Sequence, residues 1–361
     1  MKHLLALGLA VLTGCPDTEL PERARGQATR VCSASEVYEF YSVSQQEIRP
    51  DLWVAFVDVG QGDATFIRTP GTAGLEARDI LVDAGDCRTD KAFGNDPDLS
   101  ECGIRRNDLS GGQVDGVEAL ITFLTRAGLP PGSTLDYLVV THPDKDHYGG
   151  GWRILQEYQV GAVLDPGIEA EGVTYQALRR AVQAEGATEL RPALVSGLEG
   201  TGERSTFTWG ADTRVELMAA DANAPEENNG SVVLMFEFAR RKVLLTGDAE
   251  AELDAALVAE HGTRLQADVL KAGHHAGVGT NTQPLLDAVD PTYVVVSAGR
   301  RDGLPNLDTI DRLLAQVGAE GLFRTDRGDE LKDRDTAPGD DHLLLRITPA
   351  GELSLCYLRP D

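Results

Sequence analysis

Three short apolar runs in this chain each end on ionisable side chains: LDYLVVTH (135–142), KVLLTGD (242–248) and ADVLKAGHH (267–275). Runs of this length rich in Val and Leu read as strands covered on both faces, because only a half-exposed strand needs polar alternation. Ionised groups are costly inside an apolar core, so the tips of such strands must open onto a polar rim. The pattern recurs along the chain. LWVAFVDVG (52–60), DATFIRT (63–69) and DILVDAG (79–85) read as strands separated by Gly and Pro. VDGVEALITFLTRAGL (114–129) has the helical spacing of Val117, Leu120, Ile121 and Leu124 and stops at a glycine. In the second half, SVVLMFEF (231–238) and KVLLTGD predict a hairpin turning at Arg240–Arg241, followed by a helix over 249–261. PLLDAVD predicts a short helix, PTYVVVSAG (291–299) a strand, and NLDTIDRLLAQVG (306–318) a helix capped by Asn306 or Asp308. Strand–helix alternation in two similar halves predicts an α/β fold in which two sheets pack together with helices outside.

The start of the chain, MKHLLALGLAVLTGC, joins a short basic end to an apolar run from Leu4 to Leu12. That run is far shorter than the roughly 20 residues of a spanning helix, and it reads as an export signal. Leu12-Thr13-Gly14-Cys15 resembles a bacterial lipobox, which implies cleavage before Cys15 and a lipid on its sulfur. The expected organisation is a signal peptide (1–14), a polar tether (15–50) and one domain (51–361). The expected location is the bacterial cell envelope, lipid-anchored and facing periplasm or exterior. Export favours disulfides. Cys87 and Cys102 bracket one loop-like insert and are expected to pair, which leaves Cys32 with Cys356.

The ionisable tips carry the chemistry. His142, Asp144, Asp146 and His147 share one loop, Asp248 ends the second run, and His274 and His275 end the third. Loops at strand ends on one rim are where α/β proteins gather ligand groups. Imidazole and carboxylate together suit zinc, manganese or iron.

In this order and spacing, H-x-D-x-D-H-x-G, TGD and GHH resemble the metallo-β-lactamase superfamily. DVGQGDA (58–64), LVDAG (81–85), NNGSVVL (228–234), VLLTGDAE (243–250) and VVVSAG (294–299) are similar to signatures of the hydrolase domain of ComEC-like competence proteins. The resemblance implies a metallo-β-lactamase-like αββα sandwich of two mixed β-sheets holding two divalent metal ions, zinc or manganese. It implies His142 and Asp144 on a first ion, Asp146, His147 and His274 on a second, and Asp248 bridging both. His274 is expected to be the ligand of the histidine pair, and catalysis is expected to depend on Asp146 and Asp248. Two features depart from the superfamily pattern: Asp144 stands where many members have His, and ENNGS occupies the place of the first site's usual third histidine. Asn228, Asn229 or Ser231 is expected there to orient water or hold a substrate oxygen.

Other residues carry smaller expectations. Asp58, Asp63 and Asp83 are candidates to fix histidine tautomers from behind, with a tight-turn role as the alternative for the first two. Lys145 and Lys271 lie near the rim and are candidates to meet an anionic substrate or to be solvated. His261 and His342 read as surface residues. With 58 acidic against 33 basic residues, the net charge of −25 disfavours tight binding of long polyanions. The expected activity is phosphodiester hydrolysis of a small-molecule or nucleic-acid substrate by metal-activated water. The alternatives are an esterase or lactonase, and a noncatalytic binding lipoprotein. The expected membrane partner is reached through the N-terminal lipid, and no protein partner is inferable.

Overall fold

Successive strand residues point to opposite faces, and in β1 (Leu52–Phe56) both faces are buried. Leu52, Val54 and Phe56 enter one apolar cluster, while Trp53 and Ala55 enter another. A strand so placed lies between two layers. The computed structural model describes residues 28–42, 49–86, 116–169, 173–184, 189–192, 206–299, 303–327, 339 and 341–358. Among them, β2 (Thr65–Arg68), β3 (Asp79–Val82), β4 (Thr134–Val139), β5 (Gln159–Asp165) and β6 (Glu189–Pro192) follow β1. The second half supplies β7 (Thr206–Thr208), β8 (Arg214–Ala219), β9 (Val233–Phe238), β10 (Arg241–Leu245), β11 (Val269–Lys271), β12 (Tyr293–Val296) and β13 (Leu322–Arg324). β14 (Leu343–Ile347) and β15 (Leu353–Tyr357) close the chain. The helices are α1 (Ala34–Ser42), α2 (Gly116–Arg126), α3 (Lys145–Tyr148), α4 (Gly151–Glu157), α5 (Val173–Ala184), α6 (Ala251–His261), α7 (Gln283–Val289) and α8 (Leu307–Val317).

The strands form two mixed sheets, ordered β15-β14-β1-β2-β3-β4-β5-β6 and β13-β12-β11-β10-β9-β8-β7. One cluster, with Val54, Ile67 and Val139 facing Leu234, Val243 and Val295, fills the space between them. The outer face of the first sheet is covered through Phe123, Leu124, Ile154 and Leu178 of α2, α4 and α5. That of the second is covered through Leu253, Leu257, Leu286 and Leu313 of α6, α7 and α8. This is the expected αββα sandwich. β3 runs parallel to β4, and β10 to β11 and β11 to β12. Parallel neighbours release their C-terminal ends on the same rim of a sheet, which is what brings Asp83 beside Thr141 and Asp248 beside His275.

Several local expectations shift. The hairpin between β9 and β10 turns at Ala239 and Arg240, whose φ values of 49° and 67° suit a tight two-residue turn, one residue earlier than expected. Asn306, not Asp308, caps α8, its side chain accepting from Thr309 N–H. Residues 28–42, expected in the tether, pack on the domain instead. Val31 bridges to Tyr357 in parallel, and α1 drives Phe40 between Trp53 and Phe123 at ring separations of 5.6 and 5.9 Å. The apolar face of this segment is a single turn, Val37, Phe40 and Tyr41, and strand pairing and the Cys32–Cys356 disulfide add to its order. Residues 1–27, with the expected signal and the lipid site Cys15, lie outside the described residues, as do Cys87 and Cys102. Among the described residues, no helix is long and apolar enough to cross a membrane.

The two histidines read as surface residues are buried. His261 Nε2–H donates to the Met218 carbonyl (2.7 Å). His342 Nδ1 accepts the Asp58 amide (3.0 Å), and the ring packs edge-on against Phe123. Burial, helped by Arg126, pushes the His342 imidazolium down from 6.5 to about 4. The unfolded chain therefore takes up this proton first as the pH falls, and the folded chain only near pH 4. His342 contributes its stability fully above pH 6.5 and loses it between 6.5 and 4, by at most about 3 kcal/mol. Urea unfolding across that window should show a smaller decline in His342→Asn, whose side-chain oxygen replaces Nδ1 as acceptor. Equal declines in the two proteins would contradict this role.

Candidate metal centre

THPDKDHYGG leaves β4 and turns at once into the single helical turn α3. The Asp144 carbonyl accepts the amides of His147 and Tyr148, both at 3.0 Å, which points the side chains of this loop back over the sheet rim. The GQGD loop after β1 closes against it, with Asp63 N–H donating to the Asp146 carbonyl (3.0 Å). Gly62 makes this approach possible: at φ +134° its Cβ would stand 2.4 Å from the Asp146 oxygen. On the facing sheet, Asp248 follows β10 and its amide donates to Ser231 Oγ (3.1 Å). After β11, His274, His275 and Ala276 take φ values of 45°, 50° and 56°. Left-handed backbone costs a non-glycine residue about 1–2 kcal/mol. Three in a row persist only where the surroundings impose them, as they do at ligand sites. In this turn two adjacent imidazoles can both face one centre, which an extended strand forbids.

The imidazoles converge on Asp248. His147 Nε2 lies 3.1 Å from its Oδ1. The Nε2 atoms of His275, His142 and His274 lie 3.4, 3.8 and 4.0 Å from its Oδ2. His275 Nε2 also lies 3.2 Å from Asp146 Oδ2 and 3.3 Å from His147 Nε2. Two of these rings are held from behind. His147 Nδ1–H donates to Asp83 Oδ2 (2.8 Å), and Asp83 also takes the amide and hydroxyl of Thr141. His275 Nδ1–H donates to the Ser297 carbonyl (2.9 Å). A ring with Nδ1–H engaged presents the Nε2 lone pair forward, as a metal ligand must.

The electrostatics call for positive charge. Burial alone would push the imidazolium of His147 down, but Asp248 and Asp83 overrule it and hold it well above 6.5. For His275, Asp248 and a hydrogen bond donated to Asp146 overrule burial and raise it to about 9. In return, His147 and His275 hold Asp248 well below the usual carboxylate range against full burial, and Asp146 is lowered likewise. Several carboxylates in a dry site are tolerable only when paired, and protons on imidazole or metal ions can do the pairing. The donor set fits metal. Asp63, His147, Asp248 and His275 offer ligand atoms within 4.8 Å of one another, all buried. His142 is fully buried, and its Nε2 has no hydrogen-bond partner among the described residues.

The arrangement differs from the sequence expectation in identifiable places. His275, not His274, sits with Asp146 and His147, because the left-handed turn swings the second ring inward. His274 is displaced towards Glu250, 2.9 Å away. Asp83 does lie behind a histidine. Asp58 instead holds a turn, accepting the amides of Gly60 and Gly339. Asp63 stands inside the cluster and is paired with Lys271, which is buried rather than exposed on the rim. Lys271 Nζ also donates to the Gly247 carbonyl (3.1 Å), tying the loops of Asp63 and Asp248 together. Asn229 and Ser231, expected to face substrate, serve the scaffold. Asn229 Oδ1 accepts the amides of Glu250 and Leu253 at the start of α6, and Ser231 holds the Asp248 loop. Asn228 donates to Glu250 Oε1 (2.9 Å). Lys145 and Asp144 stand at the more open side, Asp144 3.5 Å from His142 Nε2. Sequence reasoning missed Glu250. Its one signal was a carboxylate two positions beyond Asp248 in VLLTGDAE.

Residues 57–300 match the family model described as "Metallo-beta-lactamase superfamily". The chain is 26% identical over 283 residues to ComE operon protein 3 of Bacillus subtilis (strain 168), covering 78% of this chain and 33% of that protein. It is 26% identical over 277 residues to Recombination protein 2 of Haemophilus influenzae, covering 74% and 27%. It thus spans about a third of the length of these curated relatives. Among solved structures, the metallo-beta-lactamase fold protein YhfI from Bacillus subtilis aligns with a TM-score of 0.40 at 12% identity, covering 76% of this chain and 96% of that one.

Proposed function

The chain belongs to the metallo-beta-lactamase superfamily, and from that premise we propose that it is a metal-dependent hydrolase of the cell envelope that cleaves phosphodiester bonds. The observation that carries the reading is the convergence of buried imidazole Nε2 atoms on Asp248, with Asp146 alongside. In this reading Asp146, His147, His275 and Asp248 hold one divalent ion, zinc or manganese, and His142 and Asp144 share Asp248 with another. Bound there, such ions lower the pKa of water and neutralise charge building on the substrate. The chain's own part is to present the ligands. Asp83 and the Ser297 carbonyl fix two rings, Lys271 neutralises Asp63, and the sheets exclude water from behind the centre.

The phosphodiester class is supported by a relative named for recombination, a process that acts on DNA, and by the resemblance to ComEC-like competence proteins. The envelope is supported by the Cys32–Cys356 disulfide, which belongs to an oxidising compartment, and by the export-like start of the chain with Cys15 as lipid site. The net charge of −25 favours a second reading, a carboxyl ester or lactone in place of a polyanion. A panel of bis-p-nitrophenyl phosphate, p-nitrophenyl acetate and a homoserine lactone, with the manganese- or zinc-loaded chain, separates the two. The expected result is turnover of the phosphodiester above the others. Turnover of ester or lactone alone moves the assignment to the second reading, and bound metal with no turnover would overturn the hydrolase assignment.

A further inference from the structure

We infer that His274 is the imidazole of the first ion site, beside His142, Asp144 and the shared Asp248, and that Glu250 is the positioning residue that holds it there. The inference rests on the metal-dependent reading above and deepens it by assigning a ligand where the chain lacks the usual histidine. The resemblance puts ENNGS at that place, and the His274 ring lies next to its Asn228, with Nδ1 3.5 Å from Asn228 Nδ2. His274, in the turn after β11, thus stands against the segment before β9.

Three observations support the assignment. First, His274 Nδ1 lies 2.9 Å from Glu250 Oε1, a carboxylate that Asn228 also holds. A proton on Nδ1, facing that carboxylate, makes Nε2 the lone-pair nitrogen in this assignment, and Nε2 is the atom 4.0 Å from Asp248 Oδ2. Second, His142 Nε2, buried and without a hydrogen bond, lies 3.8 Å from the same oxygen and 3.5 Å from Asp144 Oδ2. Ligand atoms about 2.1 Å from a common ion stand roughly 3–4 Å apart, so each of these separations suits a shared ion. Third, the left-handed backbone begins at His274 itself. The turn that swings His275 towards Asp146 leaves His274 against Glu250, so the two adjacent rings, which both approach Asp248 Oδ2, have different further neighbours. The two rings differ in setting accordingly: the His275 side chain is 1% exposed and that of His274 28%.

The test uses the full chain, stripped of metal and reloaded with Mn²⁺. Bound ion is counted by mass spectrometry after gel filtration, and electron paramagnetic resonance distinguishes a coupled pair from an isolated ion. The wild type is expected to retain about two ions per chain as a coupled pair. His274→Ala is expected to retain about one, with an isolated-ion spectrum. Glu250→Gln is expected to weaken the first ion by about 10- to 100-fold and spare the second. This milder variant decides the matter if His274→Ala fails to fold. Two ions at wild-type affinity in either variant would overturn the inference. So would a wild type that holds one ion, lost in His275→Ala and kept in His274→Ala. A wild type that binds neither Mn²⁺ nor Zn²⁺ would instead remove the metal-dependent reading itself.

Discussion

Asp248→Ala is expected to lower kcat/KM for phosphodiester cleavage by at least about 10³-fold, roughly 4 kcal/mol of transition-state stabilisation, and to strip bound metal from the protein. Its two carboxylate oxygens are the only groups that approach the Nε2 atoms of His142, His147, His274 and His275 together among the described residues, between 3.1 and 4.0 Å. Removing them takes away the shared ligand and the charge that makes the pocket attractive to a cation. The fold should survive, because Asp248 holds the scaffold through its backbone amide on Ser231, which alanine keeps. Asp248→Asn preserves the volume without the charge and should lose activity in the same direction. Circular dichroism with metal analysis on both variants separates a dead centre from a collapsed protein. Full activity and full metal content in either variant would exclude Asp248 from the mechanism.

Cys32→Ser combined with Cys356→Ser should cost about 3–5 kcal/mol of unfolding free energy. The bridge spans 324 positions, so in the unfolded chain it closes most of the sequence into one loop; the chain-entropy treatment assigns roughly 6 kcal/mol to such a closure, and measured effects usually fall below it. The partners also lie where the N-terminal segment pairs with β15: Cys32 N–H donates to the Tyr357 carbonyl (2.9 Å). Losing the bridge should therefore loosen α1 and Phe40 before the sheets. Guanidinium unfolding of the oxidised protein, the reduced protein and the double serine variant measures the effect. Equal midpoints for all three would show that strand pairing and Phe40 hold the segment without the bridge.

Much of the architecture was legible because the strands are short, apolar and buried on both faces. LWVAF and VVV admit few positions other than the middle of a layered fold. The N-terminal segment was not legible. Its apolar face is only one helical turn, Val37, Phe40 and Tyr41, and the bond that secures it reaches a residue near the other end of the chain, which leaves no local signal. His342 and Lys271 were misread for a related reason. A single polar residue carries no pattern of its own, and its partners, the Asp58 amide and Asp63, lie 284 and 208 positions away.

The sequence by itself determined which chemistry the rim can perform. Imidazoles and carboxylates stand at the tips of apolar strands, and composition and spacing suffice to place them there. Tertiary structure alone decided how those groups divide. Which histidine of a GHH turn faces Asp146 depends on three consecutive left-handed residues. Whether Asn229 and Ser231 meet substrate or the scaffold depends on the start of α6 and on Asp248. Backbone handedness at a turn and the capture of a side chain by a distant amide are set by packing between the sheets, and no local preference encodes them.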